Sequence, residues 1–158
     1  MKNKDGVGLA GRFTLIARHS DDEVFAVRDI MNTITNSGME EVASLICGVT
    51  STEFTYIGLG TDTENAAAAT DTQLYDEIDY TSVTPASRGI DAAPTSPAKV
   101  AIIVDTFAFG AGGEDALTEV GLFNDTTAGI MLARQTFAVI NVAEGDSLTA
   151  TWNITVGV

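Results

Sequence analysis

The strongest constraint on the fold is an unbroken two-residue alternation near the carboxyl end of the chain. Within residues 146–156, apolar and polar side chains alternate without a lapse: Leu148, Ala150, Trp152, Ile154 and Val156 against Thr149, Thr151, Asn153 and Thr155. Successive side chains of a β-strand point to opposite faces, so this pattern predicts a strand with one apolar face. The turn residues Glu144-Gly145-Asp146 precede it.

Further strand-like segments predict a mainly β fold. Runs rich in β-branched and aromatic residues place the expected strands at 11–19, 23–30, 53–59, 99–109, 117–123, 129–138 and 146–156. The first two flank Ser20-Asp21-Asp22 and are expected to form a hairpin, whose imperfect alternation is typical of a half-exposed edge. Seven or eight short strands with one helix predict a single-domain β-sandwich or jelly-roll-like architecture.

One short helix is expected near residues 38–47. Apolar residues recur there at helical spacing, acidic residues complement the first turn, and Gly48 can end the helix. The pattern at 61–71 indicates a loop or a weak helical turn. Residues 72–80 fit either a short helix or the start of a strand. All three prolines lie within 84–97, which predicts a loop there.

The length of the chain favours a single folding unit. Its 158 residues suffice for one domain with a substantial core. We expect one β-rich domain over residues 11–158, preceded by a flexible amino-terminal arm, residues 1–10, that orders only against a neighbour. No apolar run has the length of a membrane span, and no apolar signal region follows Met1, so a soluble product of the cytoplasm is expected.

The charge balance excludes one class of partner. The formal net charge is -14, from 22 acidic and 8 basic residues, and the basic residues form no run. Phosphate backbones repel such a chain, so nucleic-acid binding is not expected. An acidic exterior keeps a protein soluble at high copy number. Acidity is also common among bacterial proteins in general. We give at least equal weight to the interpretation that the negative charge has no specific role.

Few residues are available for metal or disulfide chemistry. The single Cys47 excludes an internal disulfide and a cysteine-based zinc cluster, and the single His19 excludes a site built from several histidines. His19 is expected at an exposed turn. Asp62-Thr63-Glu64 near Asp71 is a candidate for Ca²⁺, although it lacks the spacing of a calcium loop. No cofactor or metal is assigned.

The sequence offers no set of residues for catalysis. The glycine-rich stretch that begins at Gly110 lacks the lysine and hydroxyl residue of a phosphate-binding loop, and no nucleophile elbow is present. Acidic clusters occur at 21–23, at 76–79 and at 114–115. A glycosidase needs two carboxylates across a cleft, which sequence proximity does not supply. We interpret the clusters as solvated turns, and the chain as not an enzyme.

Three stretches, taken in order, resemble small virion-associated structural proteins of tailed phages and prophages. The first is Asn32-Thr-Ile-Thr-Asn-Ser-Gly-Met, followed by the predicted helix. The second is Phe54-Thr-Tyr-Ile-Gly-Leu-Gly-Thr-Asp-Thr, with Ala68-Ala-Thr-Asp-Thr-Gln-Leu after it. The third runs through Leu117-Thr-Glu-Val-Gly-Leu-Phe-Asn, Gly129-Ile-Met-Leu-Ala-Arg-Gln-Thr-Phe and Gly145-Asp-Ser-Leu-Thr-Ala-Thr-Trp-Asn-Ile-Thr-Val. Together they cover most of residues 30–156.

The resemblance implies a non-catalytic component of a virion, made in the host cytoplasm. The first hypothesis is a capsid decoration (cement) protein on the outside of the head, favoured as a homotrimer and bound to the major capsid protein or other virion proteins. Residues 1–12 and the first hairpin would then supply the assembly contacts, through an arm or an exposed strand edge. The expected contact residues are Lys2, Lys4, Arg12, Phe13 and Arg18.

Two alternatives remain. In the first, the chain belongs to a tail tip, baseplate or fibre and contacts a host receptor or carbohydrate, with exposed Tyr56, Tyr75 and Tyr80 on the binding face or else in the core. In the second, it is a calcium-dependent binding module outside any particle.

Two further expectations concern folding stability. Gly121 allows a second backbone or an aromatic ring to approach the sheet closely. Glu119 and Arg134 lie on adjacent predicted strands and are expected to pair across the sheet.

Overall fold

The computed structural model describes residues 8–78, 88–90, 94–113 and 115–157. Within these residues the chain forms eight strands and one helix. In order they are β1 (Leu9–Arg18), β2 (Val24–Ile34), α1 (Asn36–Ile46), β3 (Tyr56–Gly60), β4 (Gly89–Ile90), β5 (Val100–Ala108), β6 (Asp115–Phe123), β7 (Met131–Val142) and β8 (Ser147–Val156). The predicted mainly β domain with a single short helix is confirmed.

All strands belong to one antiparallel sheet, in the order β4-β3-β6-β7-β2-β1-β8-β5. The sheet curls until its end strands β4 and β5 approach each other, which gives a nearly closed barrel. Strand β2 joins two sections, because it pairs with β1 along most of its length and with β7 through Thr33 and Ile34 alone. The two layers of the predicted sandwich are therefore two sections of one continuous sheet.

The core lies between the inward faces of the two sections. Trp152 of β8 is completely buried, and its ring lies 5.4 Å from that of Phe13 on β1, which lies 6.0 Å from that of Phe137 on β7. Every second residue of β8 from Leu148 to Ile154 is buried. The alternation that predicted this strand therefore reports its position at the centre of the core.

The first hairpin is central rather than at an edge, so that expectation is wrong. Strand β1 pairs with β2 on one side and β8 on the other, and Phe13, Leu15 and Ala17 are completely buried. The alternation looked imperfect because an aliphatic residue, Ile16, lies on the outward face. The predicted arm also ends earlier than expected, since Leu9 already pairs with Val156; residues 1–7 lie outside the described residues.

The helix begins two residues before its predicted start. Thr35 is its N-cap, and its side-chain oxygen accepts a hydrogen bond from the Gly38 amide at 3.0 Å. The same hydroxyl donates to the Met131 carbonyl on β7, so the cap also fixes the helix to the sheet. The contact with the Met131 carbonyl holds α1 against β7.

Residues 61–78 form neither a helix nor a named strand. They follow β3 and turn back across the outward face of β3, β6 and β7, where Ile78 donates its amide proton to Leu59 at 2.9 Å. Neither alternative for 72–80 is observed up to Ile78, and Asp79, Tyr80 and half of the 84–97 loop lie outside the described residues. We call residues 61–78 the covering segment.

Replacement of Phe13 by alanine is expected to lower the free energy of unfolding by about 3–5 kcal/mol, because it leaves a cavity beside Trp152. Ile16→Ala, on the outward face of the same strand, is the matched control and should lose much less. Urea denaturation of both variants measures this, and equal losses would contradict the assignment of the two faces.

Candidate functional site

Three glycines create a flat strip on the outward face of β3 and β6. Gly58 pairs with Gly121 across the two strands, and Gly60 pairs with Glu119. A Cβ atom at Gly121 would lie 2.7 Å from the ring of Phe123, and one at Gly58 would lie 3.0 Å from it. The expectation that Gly121 admits an aromatic ring is therefore confirmed. The strip lets side chains and the covering segment lie against the backbone.

Arg134 occupies the centre of the covered face. Its Nε and Nη2 atoms donate to Glu119 Oε2 at 2.9 and 2.7 Å, and its Nη1 donates to Asp71 Oδ2 at 3.0 Å. Arg134 and Glu119 are completely buried, and the predicted pair between them is confirmed. Burial lowers the pKa of Arg134, but the hydrogen bonds to Glu119 and Asp71 outweigh it, so the net pKa is raised.

Two of the candidate calcium residues, Asp62 and Asp71, converge on this same guanidinium. Asp62 Oδ2 accepts from Arg134 Nη2 at 3.3 Å, and the backbone amide of Asn65 donates to Asp62 at 2.9 Å. Burial raises the pKa of Asp62, but hydrogen bonding and the charge of Arg134 lower it by a larger amount. The net pKa of Asp62 is therefore below its usual range. Among the described residues, no group of three or more acidic, histidine or cysteine side chains is arranged for a metal ion. The geometry explains Asp62 and Asp71 as partners of Arg134.

A second arginine anchors the other end of the covering segment. Arg88 donates to both carboxylate oxygens of Glu77, at 2.6 and 3.0 Å, and to the carbonyls of Asp125 and Ala128 at 2.8 and 2.7 Å. Its guanidinium lies 3.4 Å above the centroid of the Phe123 ring. Glu77 is thus an ion-pair partner, and its interpretation as a solvated turn residue is wrong.

The two arginine sites have a structural role. Each of the three guanidinium nitrogens of Arg134 and of Arg88 donates to an oxygen atom of this chain. Ion pairs with several hydrogen bonds to one guanidinium fix geometry and leave few donors for a ligand. The covered side of the barrel is therefore held closed by its own side chains.

The histidine and tyrosines occupy separate positions. His19 is half-exposed, stacks on Phe25 at 4.2 Å, and pairs through Nδ1 with Asp146 Oδ1 at 3.0 Å. Tyr56 packs in a small cluster on the covered side, and Tyr75 lies against Arg134, whose guanidinium is 4.7 Å from the ring centroid. The two described tyrosines therefore serve the covered side, and Tyr80 lies outside the described residues.

The opposite side of the barrel carries no covering segment among the described residues. The register of β2, β1, β8 and β5 places one set of side chains on a common outward face. We call it the open face; its residues are Ala10, Arg12, Thr14, Ile16, Arg18, Val27, Asp29, Met31, Val100, Ile102, Val104, Thr106, Ala108, Ser147, Thr149, Thr151, Asn153 and Thr155.

The open face differs from the rest of this acidic chain in charge. Among its described side chains the one carboxylate is Asp29, which accepts two hydrogen bonds from Arg12 at 2.5 and 2.6 Å. These hydrogen bonds hold the pKa of Asp29 below its usual range. Hydroxyl and aliphatic side chains cover the remainder, and Thr106 and Thr149 hydrogen-bond to each other at 3.0 Å. The face is thus rich in hydroxyl groups and without uncompensated negative charge.

The structure divides the expected assembly residues. Arg12 and Arg18 lie on the open face, where Arg18 donates to the Asp22 carbonyl at 3.2 Å. Phe13 lies on the opposite face of β1 and is completely buried, so its assignment as a surface contact is wrong. Lys2 and Lys4 lie outside the described residues.

Comparison of the chain with protein-family models, curated proteins and solved structures finds no match. Within the part of the chain that the structure describes, no helix has the length and apolar character needed to cross a membrane.

Removal of the central cation is expected to be far more damaging than removal of an exposed one. Arg134→Met leaves the buried carboxylates of Glu119 and Asp71 without a counter-ion, which costs about 3–5 kcal/mol of unfolding free energy. Arg12→Met, the control, breaks an exposed pair and should have little effect. Chemical denaturation of both variants tests this, and similar losses would contradict the structural role of Arg134.

The His19–Asp146 pair should make stability depend on pH. Its hydrogen bond to Asp146 raises the pKa of His19 above 6.5, so the pair stabilises the fold fully below pH 6.5 and loses its effect as the pH rises through the raised value. The difference in Tm between wild type and His19→Gln should therefore narrow from about pH 5 to about pH 9. A difference that stays constant over that range would show that the pair contributes nothing.

Proposed function

We propose that this chain is a non-enzymatic structural protein of a tailed-phage particle, and that it binds to the outside of the head as a decoration protein. The sequence resemblance supplies the class of protein. The open face is the observation that supports this function, because it gives a compact acidic barrel one surface suited to docking.

The size of the open face supports a docking role. Four strands about 4.8 Å apart, each about nine residues long at about 3.4 Å per residue, cover roughly 600 Å². A specific interface of standard size buries about 800 Å² on each partner. The open face with its rim therefore has the dimensions of one complete protein–protein contact.

The charge distribution gives the docking a direction. A net charge of -14 makes free copies repel each other and keeps them soluble at high copy number. Like charges placed against each other in an interface are costly, so an acidic protein docks best through a face that lacks them. The open face, with Asp29 neutralised by Arg12, meets that requirement.

The partners follow from the same features. We propose the major capsid protein or another virion protein as the docking surface, with the virion as the final location. Nucleic acid is disfavoured as a partner, because the excess of carboxylates repels phosphate.

A second candidate function uses the same face differently. In a tail tip, baseplate or fibre, a row of hydroxyl and amide side chains can hydrogen-bond to a host carbohydrate. The ladder of Thr149, Thr151, Asn153 and Thr155 along β8 favours this alternative. Adsorption of the isolated protein to host cells or glycans would distinguish it from decoration.

A charge placed at the centre of the open face should weaken docking. Thr151 lies between Thr14 and Val104 in the sheet, so Thr151→Glu puts a carboxylate in the middle of the contact. We expect binding to capsids that lack this protein to fall by about tenfold or more, with Tm little changed. Thr63→Glu adds the same charge at an exposed site on the covered side and serves as the control.

Co-sedimentation with capsids measures both variants. Equal binding by Thr151→Glu and wild type would show that the open face does not dock. Equal weakening by both variants would mean that net charge, and not the face, controls binding.

A further inference from the structure

The carboxyl end of α1 presents apolar side chains to solvent. Ile46, the last residue of the helix, is 84% exposed, and Val49 just beyond it is 80% exposed. These are the largest exposed fractions among the large hydrophobic residues that the structure describes. Their exposure has no use in the isolated fold, since neither side chain contributes to the core. We call Ile46 and Val49 the knob.

An apolar cavity of about 320 Å³ opens beside the knob, at the end of the barrel where β8 ends and β1 and β5 begin. Most of its wall is aliphatic or aromatic. We call it the pit; its principal residues are Leu9, Val42, Phe54, Ile103, Leu132 and Ile154. Apolar cavities at barrel mouths are suited to bind apolar groups.

The knob and the pit are contiguous on one molecule. Val42 forms part of the wall of the pit, and Ile46 follows it by one turn on the same face of α1. A patch that carries a protrusion next to a matching recess is self-complementary about a twofold axis. We infer that two copies of this chain pair about such an axis, each inserting Ile46 and Val49 into the pit of the other.

The volumes agree with this arrangement. A carbon atom with its hydrogens occupies about as much space as a water molecule, whose share of the liquid is about 30 Å³. The seven side-chain carbons of Ile46 and Val49 therefore need roughly 210 Å³. The pit holds them with room for adjustment.

The charges at the two surfaces are complementary. The carboxyl end of a helix carries a partial negative charge, and α1 has no basic residue in its last turn to balance it. Lys99 is close to the pit, because its carbonyl accepts a hydrogen bond at 2.9 Å from the amide of Val156, a residue of the pit wall. Its exposed side chain forms no ion pair or hydrogen bond with another described residue. In the pair, Lys99 of each copy faces the helix end of the other.

This inference is independent of the proposed particle role, because the knob and the pit lie apart from the open-face residues and are tested on the isolated protein. A twofold pair also differs from the homotrimer expected from the resemblance. The oligomeric state in solution therefore distinguishes the twofold pair from the homotrimer.

Sedimentation equilibrium of the full chain tests the pairing. We expect a reversible dimer that tightens with added salt, because the contact is apolar while the two copies repel each other through their net charge. Ile46→Asp with Val49→Asp should give a folded monomer, since both residues are exposed. Val139→Asp, at a site 47% exposed on β7, is the matched control and should remain dimeric.

A mixing experiment tests the geometry of the contact. Ala101→Phe fills the pit and leaves the knob intact, whereas the double aspartate variant keeps the pit and lacks the knob. Each alone should be monomeric and folded, and their mixture should form hetero-pairs through the one remaining knob-and-pit contact. A contact between two knobs predicts no hetero-pairs.

Three results would overturn the inference. The first is a wild-type protein that stays monomeric up to about 1 mM, the concentration at which even a Kd of about 1 mM gives substantial pairing. The second is a trimer as the smallest assembly. The third is a dimer that survives the loss of the knob.

Discussion

The arrangement of the barrel depends on the ion pairs that the guanidinium of Arg134 forms. It joins Glu119 on β6 to Asp71 and Asp62 of the covering segment, with every partner largely removed from water. A buried ion that loses one partner is strongly unfavourable, so this cluster is either complete or absent. The glycine strip makes it possible, because side chains at Gly60 and Gly121 would occupy the space that Glu119 and Phe123 fill.

The cluster divides the molecule into two different sides. On the covered side, carboxylates form ion pairs with Arg134 and Arg88 and so hold the covering segment to the sheet. On the open face, the strands present threonine and aliphatic side chains. Among the residues described there, the one carboxylate is that of Asp29, which is paired with Arg12. A chain with a net charge of -14 thus keeps one broad surface without uncompensated negative charge. That contrast is the physical basis of the proposed assembly role.

Local patterns predicted the parts of the fold that depend on neighbouring residues in the sequence. The alternation around Trp152 predicted β8 and its buried face, and the Glu119–Arg134 pair followed from adjacent strands. The covering segment could not be predicted, because Asp71 reaches Arg134 from 63 positions away. Phe13 was assigned to the surface because local alternation does not reveal that β1 lies between two other strands. The open face likewise requires the strand order, which no single strand encodes.

The copy number of this protein in purified particles, measured by quantitative mass spectrometry against the major capsid protein, tests the central claim most directly. We expect one copy per capsid subunit or a simple fraction of that ratio, because a decoration protein occupies repeated sites on the head. A handful of copies per particle would move the protein to the tail or fibres. Complete absence from the particle would contradict the account.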